Sequence, residues 1–90
     1  MELNGTKAVV TGGSRGIGFE ICKVLLEHGA QVMAVSRDVG RLAAAREALR
    51  DLLILEVDVS SAEDNDRLVA WLEENLGSLD ILVNNAGVLP

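Results

Sequence analysis

Four short runs of β-branched and aliphatic residues, separated by stretches with helical spacing, constrain this chain more than any other feature. They are Ala8-Val9-Val10, Gln31-Val32-Met33-Ala34-Val35, Leu52-Leu53-Ile54-Leu55-Glu56-Val57 and Ile81-Leu82-Val83. Continuous apolar runs of this kind suit strands buried on both faces, and hence a parallel sheet covered by helices. Between the first two runs, Ile17, Ile21, Val24 and Leu25 recur at helical spacing, and Gly29 follows as the stop. Residues 41–50 are rich in Ala, Leu and Glu, which are good helix formers. Ser60-Ser61-Ala62-Glu63 predicts a capping box, with Ser60 and Glu63 each satisfying a backbone donor of the other. Leu68, Val69, Leu72 and Leu76 then form an apolar stripe that Gly77 closes.

Strands alternating with helices through short connections imply right-handed β-α-β crossovers. Ninety residues bury only a little over ~60% of the surface the unfolded chain exposes, enough for one core and not two. No linker, repeat or low-complexity segment divides residues 1–90, so they read as one unit. The expected class is an α/β half-fold in three layers, four parallel strands in the order 3-2-1-4 with helices on both faces.

Composition excludes several functions. The net charge of −6 argues against nucleic acid, whose phosphate backbone wants a basic face. Cys22 is the only cysteine and His28 the only histidine, too few soft donors for a zinc site or a disulfide framework. No apolar run approaches the ~18 residues of a membrane span. The first residues lack a secretory pattern, so a cytoplasmic location is the expectation. An anionic ligand must therefore be held locally.

The place for it is Thr11-Gly12-Gly13-Ser14-Arg15-Gly16-Ile17-Gly18, directly between the first strand and the first helix. Without Cβ atoms, Gly12 and Gly16 can take unusual dihedrals and admit a phosphate, while Gly18 permits close packing of helix on strand. The positive end of the helix dipole faces the anion. A tight turn without ligand is the bland alternative. No Gly-Lys-Ser/Thr ending follows, so the segment is not an ATP or GTP loop.

With this turn, Asp58-Val59 after the third strand and Asn84-Asn85-Ala86-Gly87 after the fourth, the chain resembles the short-chain dehydrogenase/reductase family. The match covers essentially all ninety residues and the N-terminal part of a family domain, a Rossmann-type fold. The resemblance implies a dinucleotide held by Gly12, Ser14, Arg15, Gly16, Ile17 and Gly18 around the phosphates. Asp58 and Val59 would hold the adenine edge. Asn84 would brace the sheet, and Asn85, Ala86 and Gly87 would line the ribose.

Cofactor choice turns on Val35-Ser36-Arg37-Asp38 at the end of the second strand. An acid there holds the ribose 2′-OH of NAD, whereas arginine accommodates a 2′-phosphate. Ser36 occupies the acid's place and Arg37 follows, which with Arg15 favours NADP(H) through the planar donor fork of guanidinium. Two alternatives stay open: Asp38 turning inward would favour NAD(H), and both arginines could be ordinary solvated charges. Asp58 could equally serve to start the next helix, and the Asn-Asn pair could be a plain turn.

Other residues read as structural. Cys22 is a small hydrophobe on the first helix, His28 a last-turn dipole partner, and Trp71 packing or partner surface. Glu63, Asp64, Asp66, Glu73 and Glu74 are helix-start and solvated-face charges. The resemblance places the proton-transferring Tyr-x-x-x-Lys pair, with Ser and Asn, beyond the Asn-Asn-Ala-Gly motif. This chain contains no tyrosine, so no turnover by it alone is expected.

The resemblance also implies further strands beside the fourth. Ile81-Leu82-Val83 would otherwise be an apolar edge open to self-association or to docking of the missing half. The functional reading is an NADP(H)-binding part of an oxidoreductase. A non-catalytic nucleotide-binding or assembly module on the same half-fold is the alternative, and S-adenosylmethionine a third ligand to test.

Overall fold

The computed structural model describes residues 2–12 and 16–85. Seven elements follow one another: β1 (Lys7–Thr11), α1 (Gly16–Glu27), β2 (Gln31–Ser36), α2 (Val39–Ala48), β3 (Leu53–Glu56), α3 (Ala62–Asn75) and β4 (Ile81–Asn84). The strands form one sheet in the order β3-β2-β1-β4, and every pairing is parallel. This is the expected topology. The sheet order reverses between β2 and β4, on either side of β1.

Side chains alternate across a strand, and the core divides accordingly. Ala8 and Val10 of β1, with Val32 and Ala34 of β2, face α1 and α2, where Cys22, Leu42, Ala45 and Leu52 complete a buried cluster. Val9, Met33 and Val35 face the other way and join Val57, Leu68, Trp71 and Leu72 beneath α3. The residues from Ala8 to Thr11 are all buried, which is why β1 reads as an unbroken apolar run rather than an alternating one. Trp71 is packing, half-buried against the second cluster.

The second layer is less complete. Helix α3 has no fully buried residue. Leu82 is 61% exposed although its register partner Val9 is wholly buried on the same face. Ile81 and Val83 point to the opposite face and pack partly against the first cluster. β4 is fixed at its start by Lys7, whose N–H donates to Asp80 Oδ2 at 2.9 Å and whose carbonyl accepts from Asp80 N–H at 2.8 Å. The Lys7 ammonium also donates to the Leu76 carbonyl at the end of α3, where a cation meets the negative end of the helix dipole.

The starts of α2 and α3 differ from the expectation, in both cases because a side chain captured the helix start. Helix α2 begins at Val39, two residues before the propensity pattern, because Asp38 caps it by accepting from Arg41 N–H at 3.0 Å. The cap of α3 is Ser61, which accepts from Asp64 N–H at 3.2 Å, rather than Ser60 paired with Glu63. Ser60 is drawn away because both its N–H and its hydroxyl donate to Asp58 Oδ1, at 3.0 and 2.6 Å. Among the described residues no helix is long and apolar enough to cross a membrane.

Replacing Ser61 by Ala is expected to lower unfolding free energy in urea by about 1 kcal/mol, the worth of a typical N-cap. Glu63→Ala is expected to change it by less than about 0.5 kcal/mol, as an exposed surface substitution should. A full cap-sized loss from Glu63→Ala with none from Ser61→Ala would restore the capping box of Ser60 and Glu63.

Candidate functional site

Parallel strands deliver all their C-terminal ends to one edge of the sheet. Thr11 and Gly12 leave β1 there, Ser36 and Arg37 leave β2, Val57 and Asp58 follow β3, and Asn84 and Asn85 end β4. Thr11 is in register with Val35 on one side and with Asn84 on the other, and Ser36 with Glu56. The crevice outside these ends, where strand order reverses, is where open α/β sheets bind ligands.

The glycines of the turn have separate physical reasons. Gly12 and Gly16 take φ of 68° and 60°, the left-handed region that disfavours a side chain. Among the described residues, a Cβ on Gly16 would meet nothing within 4 Å. Gly18 is the opposite case. A Cβ there would run into the Gly12 carbonyl oxygen and come within 2.7 Å of Asn85 Nδ2, so it is glycine because α1 begins against β1. Gly12 contributes shape rather than a donor, since its N–H already bonds the Val35 carbonyl at 2.8 Å. Ile17 stands 73% exposed on the open side of the helix start.

Thr11 joins the turn to β4. Its hydroxyl accepts from Asn85 N–H at 2.8 Å and directs its proton between Asn84 Oδ1, at 3.1 Å, and the Val83 carbonyl, at 3.3 Å. Asn85 Nδ2 makes a longer contact with the Gly12 carbonyl, 3.4 Å. Asn84 therefore braces the β1–β4 junction through its side chain. Thr11 was not singled out as a site residue in the sequence, although a buried threonine at a strand end, with a hydroxyl that must be satisfied, was the available signal.

At the end of β2, Ser36 Oγ accepts from Asp38 N–H at 3.0 Å, which leaves the hydroxyl proton to be donated elsewhere. Both oxygens of Asp38 are engaged by a single residue. Oδ1 accepts from Arg41 N–H at 3.0 Å, and Oδ2 pairs with Arg41 Nε at 3.3 Å. Asp38 thus serves α2 rather than turning inward. Arg37 is 77% exposed at its side chain, and its Nη1 lies 3.9 Å from Asp58 Oδ2, a loose pairing across the ends of β2 and β3.

Asp58 is held by its neighbours. Oδ1 accepts both Ser60 bonds, and Asp58 N–H donates to Asp64 Oδ2 at 2.8 Å. Asp64 lies in the first turn of α3, as a helix-start charge should, and is half-buried there; it also lies 3.6 Å from Arg67 Nη2, a nitrogen that donates to the Glu56 carbonyl at 2.6 Å. The Ser60 hydroxyl, then the Ser60 N–H, hold the Asp58 carboxyl below the usual aspartate range, with a smaller part from the Arg37 charge. Val59 is exposed beside it, its carbonyl accepting from Asn65 Nδ2 at 2.9 Å.

The structure therefore brings together Gly12, Gly16, Ile17, Gly18, Ser36, Arg37, Asp58, Val59 and Asn85 at one sheet edge. Ser14, Arg15, Ala86 and Gly87 lie outside the described residues. Cys22 is buried, and burial pushes its thiol up to about 11, partly offset by a backbone hydrogen bond; it stays protonated at neutral pH and is no nucleophile. His28 follows the last residue of α1 and donates its N–H to the Val24 and Leu25 carbonyls. Among the described residues no cluster of three His, Cys, Asp or Glu side chains could hold a metal ion.

A helix start with left-handed glycines, a hydroxyl, an exposed guanidinium and a pre-set carboxylate meet at this one end of the sheet, the chemistry that suits a nucleotide ligand. The model of the short chain dehydrogenase family matches residues 6–90. A (+)-neomenthol dehydrogenase of Arabidopsis thaliana is 43% identical over 89 residues, covering 90% of this chain and 30% of its own length. A 3-beta-hydroxysteroid dehydrogenase of Comamonas testosteroni is 40% identical, covering 98% of this chain and 35% of its own length. A Pseudomonas aeruginosa RhlG/NADP active-site complex superposes with a TM-score of 0.89 at 44% identity, covering 97% of this chain and 36% of that one. The chain thus spans about a third of the length of these relatives.

Because the native Asp58 titrates below its unfolded value, its contribution to stability is present above the ordinary aspartate pKa of ~3.9. It is lost as pH falls through the lower folded value. Ser60→Ala is expected to move the Asp58 midpoint upward in a carboxyl-carbon NMR titration; an unmoved midpoint would show that Ser60 does not set it.

Proposed function

The chain belongs to the short-chain dehydrogenase family, and from that premise we propose that residues 1–90 are the NADP(H)-binding part of an oxidoreductase. The whole protein would move a hydride between NADP(H) and a carbonyl or alcohol substrate. One observation carries the choice of NADP(H): Asp38, the acid that directly follows Ser36 and Arg37 at the end of β2, has both carboxylate oxygens engaged by Arg41. That leaves a hydroxyl and a guanidinium, Ser36 and Arg37, toward the ribose. A 2′-phosphate matches those donors, and a 2′-OH has no carboxylate to meet. The relative captured with NADP supports the same reading.

The roles follow from position. Gly12, Ser14, Gly16, Ile17 and Gly18 admit the pyrophosphate to the main chain at the start of α1, aided by the helix dipole. Arg15 and Arg37 close on the 2′-phosphate together with the Ser36 hydroxyl. Asp58 offers Oδ2 to the adenine edge, because Ser60 already occupies Oδ1, and the Val59 backbone lies next to it. Asn85, Ala86 and Gly87 line the nicotinamide-side ribose. The nicotinamide supplies the hydride chemistry when bound. Residues 1–90 contain no tyrosine, so this stretch alone binds cofactor and turns over no substrate. A cytoplasmic setting belongs to the same proposal.

Leu82 on β4 favours a second property, with an assembly module as the reading it serves. An exposed leucine on an edge strand invites another strand, and we assign self-association of the ninety-residue chain to it.

Calorimetric titration is expected to give tighter binding of NADP(H) than of NAD(H), with Arg37→Ala removing about 1–3 kcal/mol from the former, as loss of a hydrogen bond to a charged group would. Equal affinities that Arg37→Ala leaves unchanged contradict the assignment. In sedimentation, Leu82→Lys is expected to shift the ninety-residue chain toward monomer; a wild type that stays monomeric at high concentration removes the edge from the account.

A further inference from the structure

Resting on the reading that the end of β2 receives a 2′-phosphate, we propose that Arg41 is a positioning residue for cofactor choice that acts through Asp38. It holds and neutralises the carboxylate that directly follows Ser36 and Arg37 at the end of β2. Two links support this. Ser36 Oγ accepts from Asp38 N–H at 3.0 Å, so Asp38 is a single hydrogen bond from the hydroxyl that meets the ligand. Covalent reach then keeps its carboxylate within about 7 Å of that hydroxyl. Arg41 engages both oxygens of that carboxylate, through its N–H at 3.0 Å and Nε at 3.3 Å.

The geometry sets Arg41 apart from an ordinary surface charge. Exposed pairs contribute little to stability, and this pair lies on the surface, with side chains 52% and 54% accessible. Its consequence lies in the ligand. A carboxylate at this range from a phosphate, left uncompensated, weakens binding about two- to fivefold in low salt, because the separation is shorter than the Debye length. A ligand lacking the 2′-phosphate is indifferent to the same charge. Arg41 therefore widens the preference for the phosphorylated cofactor without touching it, while Asp38 keeps its place as the cap of α2.

The test is a double-mutant cycle on the ninety-residue chain, reading affinity for 2′,5′-ADP and for 5′-AMP by calorimetry, with circular dichroism confirming the fold of each variant. Asn is as good a cap as Asp, so Asp38→Asn removes the charge and keeps the helix start. Arg41→Gln is expected to weaken 2′,5′-ADP about two- to fivefold, to leave 5′-AMP unchanged, and to have a smaller effect in the Asp38→Asn background, where no carboxylate is released toward the phosphate. Arg41→Lys, which keeps the charge, is expected to stay within about twofold of wild type. Equal weakening by Arg41→Gln in both backgrounds would make Arg41 a direct phosphate ligand and overturn the inference. No weakening in the wild-type background overturns it too, with the NADP(H) reading intact. A wild type that fails to bind 2′,5′-ADP overturns that reading and this inference together.

Discussion

The first turn of α1 lies so close to the end of β1 that no side chain fits between them. At Gly18 a Cβ would strike the Gly12 carbonyl and crowd Asn85. That one approach fixes where the helix starts relative to the sheet. It also sets the exit of β4 against the same turn, through Asn85. The small residues Ala8 and Ala34 on the α1 face of the sheet belong to the same requirement, since a helix seated this low has little room for larger ones.

Around this contact, the polar groups at the strand ends are satisfied mostly by one another. Thr11 gathers Val83, Asn84 and Asn85. Asp58 is set by Ser60 and Asp64, and Asp38 by Arg41. Such arrangements preorganise a site, because donors and acceptors are oriented before a ligand arrives. In a chain carrying a net charge of −6, Arg41 also ties up the acid that follows β2. What is left facing outward at the end of β2 is a hydroxyl proton and a guanidinium.

The architecture was legible in the sequence because its physics is one of burial. Strands covered on both faces read as continuous apolar runs, and the strand-helix alternation admits few topologies. The left-handed glycines 12 and 16 and the crowded Gly18 could also be assigned by position. Side-chain competition was not legible. Ser60 and Ser61 are neighbours with the same hydroxyl, and only the placement of Asp58 decides that Ser60 serves the carboxylate while Ser61 caps α3. Whether Asp38 faced the ribose or its own helix depended likewise on Arg41, one helical turn away. Spacing cannot rank two acceptors for one donor; distances can.

Amide NMR during titration with 2′,5′-ADP reads whether the ends of β1, β2 and β3 form one crevice for the adenosine half of a dinucleotide. Perturbed resonances are expected at Gly16, Ile17 and Gly18, at Ser36 and Arg37, and at Asp58 and Val59. Residues at the opposite end of the sheet, such as Gln31 and Asp80, should stay unmoved. Perturbations confined to the opposite end, or spread evenly over the surface, would contradict a single crevice there.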